Sequence, residues 1–284
     1  MMYVFAHTLL CLILLNFLPV TQEEVVDKFD TCKDFFVSAF FPKIPGILED
    51  GTIKNQNRYK AICQYYNGKY RFATLYDTDN KIPVFSAYKF TGTENTGARS
   101  AYWFIEPQLD ELHTEENKEM GDEIRTKIYP NQATDEDYKD SSGFDRGHLL
   151  PRQYATDEST AESTCTLTNI VPQKKNFNQG SWSKMEEHVV KIMMTDCKDS
   201  QAYVLIGAVP GEGKLKNRVI IPKMMWTAFC CETKSGKWLS GAYWGYNTDE
   251  QANIQLEQKS VNELQLTEDF STGIQIFPEQ CLTM

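Results

Sequence analysis

The sequence predicts a single α+β domain. A length of 284 residues is long for one domain and short for two, and about 250 residues is a normal size for one α+β domain. With 41% hydrophobic and 12% aromatic residues, the chain can bury a sizeable core, so disorder is not expected. Runs rich in β-branched and aromatic residues accompany one clear helical stripe, without internal repeats or a low-complexity linker.

The β-rich part is predicted to begin at Tyr59. Two strands flank the turn-forming pair Asn67 and Gly68, and a third follows the segment "DTDN". Later strands are predicted at "AYVLIGAVP", "RVIIPKMMWTAFCCE" and "WLSGAYWGY", and a short terminal helix at "SVNELQL". An apolar stripe with helical spacing predicts a helix over 181–195, and its members are Trp182, Met185, Val189 and Ile192.

The N-terminus has the pattern of a secretory signal peptide. Residues 8–20, "TLLCLILLNFLPV", form an apolar core that is too short to span a bilayer comfortably, and polar "TQEE" follows. We therefore expect a signal peptide at 1–22, an N-terminal lead-in at 23–58 and the main domain at 59–284. No later apolar run is long enough to cross a membrane, so we expect a secreted chain without stable membrane association.

Secretion changes how the cysteines are interpreted. Seven of the eight lie outside the predicted signal peptide, where an oxidising compartment favours disulfides. Because seven is odd, one thiol is free or pairs between chains. Cys32 and Cys63 are the expected local pair, and the adjacent Cys230 and Cys231 are expected to join disulfides rather than form a redox centre. The absence of a C-x-x-C motif and of a Cys/His cluster argues against structural zinc.

The net charge of −10 and a pI of about 5.0 do not favour a polyanionic partner, because phosphate binding needs cations. The acidity is concentrated in residues 106–140, which hold 12 acids and 4 bases. We expect this segment to be a solvated loop, so the overall charge says little about a binding site.

A polar constellation lies in residues 143–182, "GFDRGHLLPRQYATDESTAESTCTLTNIVPQKKNFNQGSW". His148 is one of three histidines outside the signal peptide, and it follows charged and glycine residues of the kind found where backbone approaches a ligand. A neutral imidazole can accept a proton from water, and a divalent cation can stabilise charge on a phosphate. Magnesium keeps most of its waters, so one amide oxygen suffices as a direct protein ligand. These groups suit phosphodiester hydrolysis, although a hydrogen-bonded core histidine is the alternative.

The motif "DRGH", followed by "TNIVPQKKNFNQGSW" and an acid eight residues after the last asparagine, resembles the DNA/RNA non-specific endonuclease family. The similarity runs from about Cys63 to Phe277, and the secreted lead and "WFIEPQL" are most similar to the endonuclease domain-containing 1 proteins. The resemblance implies the ββα-metal (His-Me finger) fold, with a central antiparallel sheet flanked by helices. It also implies metal-dependent hydrolysis of both DNA and RNA that leaves 5′-phosphates, with magnesium as cofactor and manganese as an alternative.

Individual roles follow from the same resemblance. His148 matches the general base, and Asn178 matches the asparagine that binds the metal directly. Glu186 matches an acid that holds a metal-bound water, and Asn169 matches an asparagine that orients the site. The matching arginines are Arg146, in the motif, and Arg99, which would stabilise the transition-state phosphate. Lys174 and Lys175 would contact phosphates, and such contacts do not discriminate between base sequences.

Each residue also has a structural interpretation. Glu186, beside Glu187, could be a solvated helix acid, Asn169 could satisfy a turn, and Asp145 is expected to organise backbone rather than to bind metal. In one straight helix Asn178 and Glu186 would lie about 12 Å apart. We therefore predict that Asn178 lies at or before the first turn, or that the helix bends near Gly180.

Two other functions remain open at this stage. The chain could be a secreted binding protein that keeps the nuclease fold with little turnover, which the acidic segment favours. It could also hydrolyse small phosphodiesters rather than nucleic acid. The sequence shows no aromatic and basic groove and no helix-turn-helix, so base recognition by a nuclease of this kind should be weak.

Overall fold

The computed structural model describes residues 24–94, 102–110, 119–251 and 254–282. The predicted signal peptide and Arg99 therefore lie outside the described residues. The strands, in chain order, are β1 (Val25–Val26), β2 (Leu48–Glu49), β3 (Thr52–Ile53), β4 (Tyr59–Tyr66), β5 (Lys69–Asp77), β6 (Ile82–Thr91), β7 (Phe104–Ile105), β8 (Gly121–Asp122), β9 (Phe144–His148), β10 (Ile170–Lys174), β11 (Gln201–Leu215), β12 (Val219–Glu232) and β13 (Trp238–Tyr246).

A seven-stranded sheet forms the centre of the fold, with the strand order β1-β4-β5-β6-β11-β12-β13. Every neighbouring pair in it is antiparallel, which confirms the predicted central antiparallel sheet. The predicted hairpin is also present. Asn67 and Gly68 have φ values of 49° and 75°, so both central residues are left-handed, as the two-residue turn between β4 and β5 requires.

Most helical segments are short. The α-helical segments are Asp135–Tyr138, Glu158–Ser163, Lys175–Phe177, Ser183–Thr195 and Val261–Gln265, with a π-helical turn at Asn178–Trp182. The 3₁₀ turns are Phe29–Phe35, Val37–Ala39, Pro107–Leu109, Arg152–Tyr154, Leu167–Asn169, Lys198–Ser200 and Glu279–Cys281. Ser183–Thr195, hereafter the long helix, matches the predicted helix, and none of the described helices is long and apolar enough to cross a membrane.

Two apolar cores cover the two faces of the sheet. One packs the long helix, through Met185 and Val189, against the sheet, and it also includes apolar residues around β9 and β10. The other joins the N-terminal segment to the C-terminal helix through residues such as Phe29 and Leu264. From Met224 to Cys231, the apolar residues of β12 alternate between these cores, as the two-residue period of a strand dictates. The sheet therefore separates the candidate site from the core that holds Phe29 and Leu264.

The disulfides follow the same division. Cys32 binds Cys63, as predicted, and links the N-terminal segment to β4. Cys231 binds Cys197, just beyond the long helix, on one face of the sheet. Its neighbour Cys230 binds Cys281 on the other face. The adjacent cysteines thus belong to different disulfides, because consecutive strand residues point in opposite directions.

Strands β9 and β10 and the helical segments after them form the ββα unit that the resemblance implies. The two strands pair antiparallel over five residues, with His148 opposite Ile170 at one end and Phe144 opposite Lys174 at the other. The chain leaves β10 directly into the helical segment that begins at Lys175 and reaches the long helix through the π-helical turn. His148 thus ends a strand, where a catalytic side chain can be held rigidly.

The prediction that residues 106–140 form a solvated loop was wrong in part. Glu106 is fully buried, and its Oε1 accepts hydrogen bonds from the Thr166 and Thr168 hydroxyls at 3.0 Å each. Asp137 is also buried and pairs with Arg218 at 2.8 Å. A buried carboxyl group needs such partners to offset its lost hydration, so part of the acidity is structural.

Candidate active site

The environment of His148 combines an aromatic ring with a thiol. The ring centroids of His148 and Trp103 are 5.3 Å apart. On one edge of the imidazole, Nε2 lies 3.8 Å from Sγ of Cys165, the free cysteine among the described residues, which is buried. A backbone hydrogen bond of 2.9 Å from Phe104 to the carbonyl of Cys165 holds the segment with Trp103 in this position. The Nε2 edge therefore faces the protein interior.

Arg146 lies on the same face of β9 as His148, because the two residues are separated by one position. Its guanidinium lies between two rings, 5.4 Å from the centroid of Trp103 and 5.7 Å from that of Tyr138. Its Nη2 donates to Oδ1 of Asp135 at 2.6 Å. The motif arginine is thus held in place by cation–π contacts and an ion pair.

Asn178 is oriented by the first residue of the motif. Its Nδ2 donates to Oδ2 of Asp145 at 2.9 Å, and Nε2 of Gln179 donates to the same oxygen at 2.8 Å. Asp145 therefore organises side-chain amides rather than backbone, which corrects the expectation for this residue. Asp145 and His148 point to opposite faces of β9, so Asn178 pairs with Asp145 rather than with His148.

The helix bends where the prediction placed a bend. Gly180 has non-helical torsion angles inside the π-helical turn that joins Asn178 to the long helix. A Cβ atom at this position would collide with the Glu250 carboxylate, which accepts hydrogen bonds at 2.7 Å from both the backbone N–H and the hydroxyl of Ser181. Asn178 lies in the first turn of the helical segment that begins at Lys175, as expected. The two halves of the segment therefore do not form one straight rod.

Asn169 is fully buried and fully hydrogen-bonded. Its Oδ1 accepts from the Ser86 hydroxyl at 2.9 Å and from the Leu150 N–H at 3.0 Å, while its Nδ2 donates to the carbonyls of Leu150 and Thr164 at 3.0 Å each. These bonds fix the backbone immediately after His148 to the central sheet. The Asn169 side chain is therefore directed into the protein and does not face solvent.

Glu186 is half-buried on the long helix, whereas Glu187 is exposed. Its Oε2 accepts a hydrogen bond from Nε2 of Gln153 at 3.0 Å. Desolvation by the surrounding protein raises the pKa of Glu186 to about 8, against the lowering effect of the Gln153 hydrogen bond. The interpretation as a solvated helix acid thus fits Glu187 better than Glu186. A cation close to this carboxyl group would favour its charged form and lower the pKa.

The two lysines differ in their surroundings. Lys174 contacts Oδ2 of Asp249 at 3.0 Å and lies 4.7 Å from the centroid of the Phe144 ring, whereas Lys175 is exposed. The ion pair offsets the charge of Lys174, so Lys175 is the more accessible of the two cations for a phosphate.

The residues present fit a hard divalent cation that is bound by few protein atoms and keeps most of its water ligands. No three His, Cys, Asp or Glu side chains cluster as a metal site in the described parts of the chain. Magnesium does not require such a cluster, because it retains several waters. Since the Asn178 nitrogen donates to Asp145, the amide oxygen is the atom that a cation would use. A single oxygen ligand also suits manganese, and it does not suit zinc.

Comparison with known proteins identifies the family. A family model described as DNA/RNA non-specific endonuclease matches residues 51–280. The chain belongs to the DNA/RNA non-specific endonuclease family. This confirms the resemblance found in the sequence.

Relatives of this endonuclease family member include the endonuclease domain-containing 1 protein of Homo sapiens, 31% identical over 227 residues. The match covers 78% of this chain and 42% of that protein, so the chain spans less than half of the relative's length. The Mus musculus protein of the same name is 30% identical over 219 residues, 75% of this chain and 41% of the relative. A nuclease of Serratia marcescens is 34% identical over 91 residues, which cover 29% of this chain and 32% of that enzyme.

A solved structure supports the fold. A chain from the crystal structure of the EndoG/EndoGI complex aligns with a TM-score of 0.51 at 19% identity, covering 71% of this chain and 82% of that one. Together with the observed sheet and ββα unit, this similarity confirms the predicted ββα-metal fold.

Several residues around the candidate site were not found from the sequence. Trp103, Asp135, Gln153 and Cys165 contact His148, Arg146 or Glu186, yet none lies in "DRGH" or in "TNIVPQKKNFNQGSW", and none was given a role. Trp103 lies four positions after Arg99, a candidate site residue, and this proximity was the one sequence feature that could have indicated it. Asp135 is one of 12 acids in its segment, and nothing in the sequence distinguishes it.

Proposed function

We propose that this chain is a secreted, metal-dependent endonuclease that hydrolyses phosphodiester bonds of both DNA and RNA. One observation carries the proposal: the ββα unit places His148 and Arg146 on one face of β9 and fixes the Asn178 amide through Asp145. This combination holds a base, a phosphate-binding cation and an oxygen ligand within one rigid unit.

His148 is the proposed general base. Since Nε2 faces the buried Cys165 thiol, Nδ1 is the nitrogen assigned to accept the proton of the attacking water. This assignment requires the neutral tautomer with the proton on Nε2, directed at sulfur, which is a weak acceptor. The Trp103 ring packs against the imidazole and limits its rotation.

The other residues bind or position groups. Arg146 contacts the substrate phosphate, and Arg99, Lys174 and Lys175 are further phosphate contacts without base selectivity. Asn169 positions the backbone after His148, and Glu186 holds a water near the site. Asn178 would hold magnesium, or manganese, which supplies stabilisation of negative charge on the phosphate and the departing oxygen.

Secretion is part of the proposal. The three disulfides fit an oxidising compartment, and the residues before Glu24 carry the apolar signal pattern. We assign residues 1–22 to a removed signal peptide, 23–58 to a lead-in bound to the sheet by Cys32–Cys63, and 59–284 to the nuclease domain.

The second candidate function is a binding protein with little turnover. The observation that favours it is the pairing of cations in the candidate site: Arg146 with Asp135, and Lys174 with Asp249. Each ion pair reduces the positive potential that a polyanion would meet.

Activity measurements separate these functions. The purified mature chain is incubated with plasmid DNA, RNA and a small chromogenic phosphodiester, with magnesium or with EDTA. We expect DNA and RNA to be cleaved in magnesium but not in EDTA. His148→Ala should lower the cleavage rate about 100-fold or more, the contribution typical of a general base. His188→Ala removes an exposed histidine of the long helix and should leave the rate unchanged.

The outcomes discriminate between the candidates. A wild-type chain that cleaves nothing but retains nucleic-acid binding would support the binding protein. Cleavage of the small diester alone would indicate a phosphodiesterase. Equal rates for wild type and His148→Ala would reject the assignment of the base.

A further inference from the structure

A groove of about 660 Å³ opens beside the candidate active site. Its walls are the segment with Tyr102 and Trp103, the residues at and after β8, and the helix Asp135–Tyr138 with Lys139. Trp103 belongs to both sites, because its ring contacts His148 and Arg146 while it lines the groove. A molecule in the groove would therefore lie next to a phosphate bound at Arg146.

The groove presents aromatic surface. Tyr102 is 71% exposed, and Trp103 beside it is half-buried. Nucleic-acid bases stack on such rings, and the interaction does not depend strongly on the base. The groove volume lies within the range typical of small-ligand sites.

The acidic lining of the groove disfavours a phosphate as its occupant. Four acids line it, namely Asp122, Glu123, Asp135 and Glu136, against two cations, Arg125 and Lys139. Asp135 and Glu136 already pair with Arg146 and Lys216, so Asp122 and Glu123 are the acids more available to a ligand. The acids repel phosphate, but carboxylates accept hydrogen bonds from the amino groups of bases. A base fits both the acids and the aromatic surface when its polar edge faces the carboxylates and its flat face stacks on Tyr102 and Trp103.

We propose that this groove is a nucleobase subsite, in which Tyr102 and Trp103 stack an unpaired base adjacent to the scissile phosphate, so that the chain prefers single-stranded nucleic acid. The substrate preference rests on the proposed function, whereas the binding site does not. A base in a duplex has its faces covered by neighbours and its pairing edge occupied, so it cannot enter the groove without being unstacked.

The test measures binding rather than cleavage. Fluorescently labelled oligonucleotides of equal length, single-stranded, duplex and single-stranded with abasic sites, are titrated with the full mature chain carrying His148→Ala, in EDTA and at constant salt. The tested variant is Tyr102→Ala, with Tyr102→Phe as the conservative variant that keeps the ring. Trp238→Ala removes a 39% exposed aromatic at the start of β13 and is the matched control.

We expect tighter binding of the single strand than of the duplex. Tyr102→Ala should weaken single-strand binding about 5- to 150-fold, the range that corresponds to loss of one base–aromatic stack. Tyr102→Phe and Trp238→Ala should bind as the parent does. Abasic oligonucleotides should bind weakly, and Tyr102→Ala should not weaken them further, because they offer no base to stack.

Three results would overturn the subsite: no detectable single-strand binding, equal affinity for single strand and duplex, or equal losses for Tyr102→Ala with intact and abasic strands. Cleavage is then compared in the active chain with magnesium. If the active chain cleaves nothing while the binding pattern holds, the proposed function fails and the subsite stands. If it cleaves single strands and duplexes equally, and Tyr102→Ala changes neither rate, the subsite fails and the nuclease stands.

Discussion

Asp145→Ala tests whether the motif aspartate orients the proposed metal ligand. In the structure one carboxylate oxygen of Asp145 accepts a hydrogen bond from Asn178 at 2.9 Å and another from Gln179 at 2.8 Å. Truncation to alanine removes this acceptor and both hydrogen bonds. The Asn178 amide then loses the contact that fixes its nitrogen toward β9, and its oxygen is no longer held in one orientation.

The magnitude follows from the bond that is lost. A hydrogen bond to a charged group contributes about 1.5–3 kcal/mol, and partial exposure of Asp145 places this one at the lower end. About 1.4 kcal/mol corresponds to tenfold in an equilibrium constant. Loss of a group that orients a metal ligand typically costs about 10- to 100-fold in metal affinity. Both estimates predict a rise of at least about tenfold in the half-saturating magnesium concentration.

The assay is plasmid cleavage as a function of magnesium concentration. Asp145→Ala should shift the half-saturating magnesium concentration upward and recover most of the rate at high magnesium. Gln179→Ala removes the second hydrogen bond to the same oxygen without changing Asn178, so it should retain the wild-type magnesium dependence. A lower rate for Asp145→Ala at every magnesium concentration, with an unchanged half-saturation point, would refute the orienting role.

Three further predictions concern stability and cysteine chemistry. Gly180→Ala should lower the unfolding free energy in urea by about 1–3 kcal/mol, because the added methyl group would displace the Glu250 carboxylate from its hydrogen bonds with Ser181. Burial raises the pKa of Glu24 and of Glu106, so wild-type stability should fall as pH rises above about 4.5, and Glu106→Gln should flatten this dependence in urea denaturation. A thiol reagent should modify one cysteine of the mature chain, Cys165, after denaturation without reductant and none in the folded chain.

The sign of the pH effect is fixed by the direction of the pKa shifts. A carboxyl group with a raised folded-state pKa binds its proton more tightly when folded than when unfolded. Its favourable contribution is present below the unfolded pKa and is lost as the pH rises toward the folded pKa. Stability that increased between pH 4.5 and neutrality would show that Glu24 and Glu106 are not the dominant titrating groups.

Local patterns predicted the sheet and the main helix well, because they depend on short-range physics. Asn67 and Gly68 both adopt positive φ, and this conformational preference alone predicts a two-residue hairpin. The stripe that included Met185 and Val189 predicted the buried face of the long helix. The bend at Gly180 followed from a distance argument, since a straight helix would separate Asn178 from Glu186 by about 12 Å.

Contacts distant in sequence could not be predicted in this way. The Glu250 carboxylate that explains Gly180 comes from 70 positions later in the chain, and the local sequence does not indicate it. Glu106 belongs to an acidic segment, but Thr166 and Thr168 hold it in the interior. The pairing of Cys230 and Cys231 with different partners did have a signal, because consecutive strand residues face opposite sides of a sheet.

The ion pairs of the candidate site predict how salt affects binding. Arg146 is paired with Asp135 at 2.6 Å and Lys174 with Asp249 at 3.0 Å, so in wild type each carboxylate offsets part of the cation's charge and reduces the counterions released when the cation contacts a phosphate. Asp135→Asn and Asp249→Asn should each steepen the slope of log affinity against log salt by about 0.7 for single strands, the value of one phosphate contact. Asp199→Asn makes the same charge change at an exposed turn and should leave the slope unchanged. If all three variants steepen the slope equally, the effect comes from the net charge of −10 rather than from the two ion pairs. If none does, Arg146 and Lys174 do not contact phosphate, and the binding surface lies elsewhere on the chain.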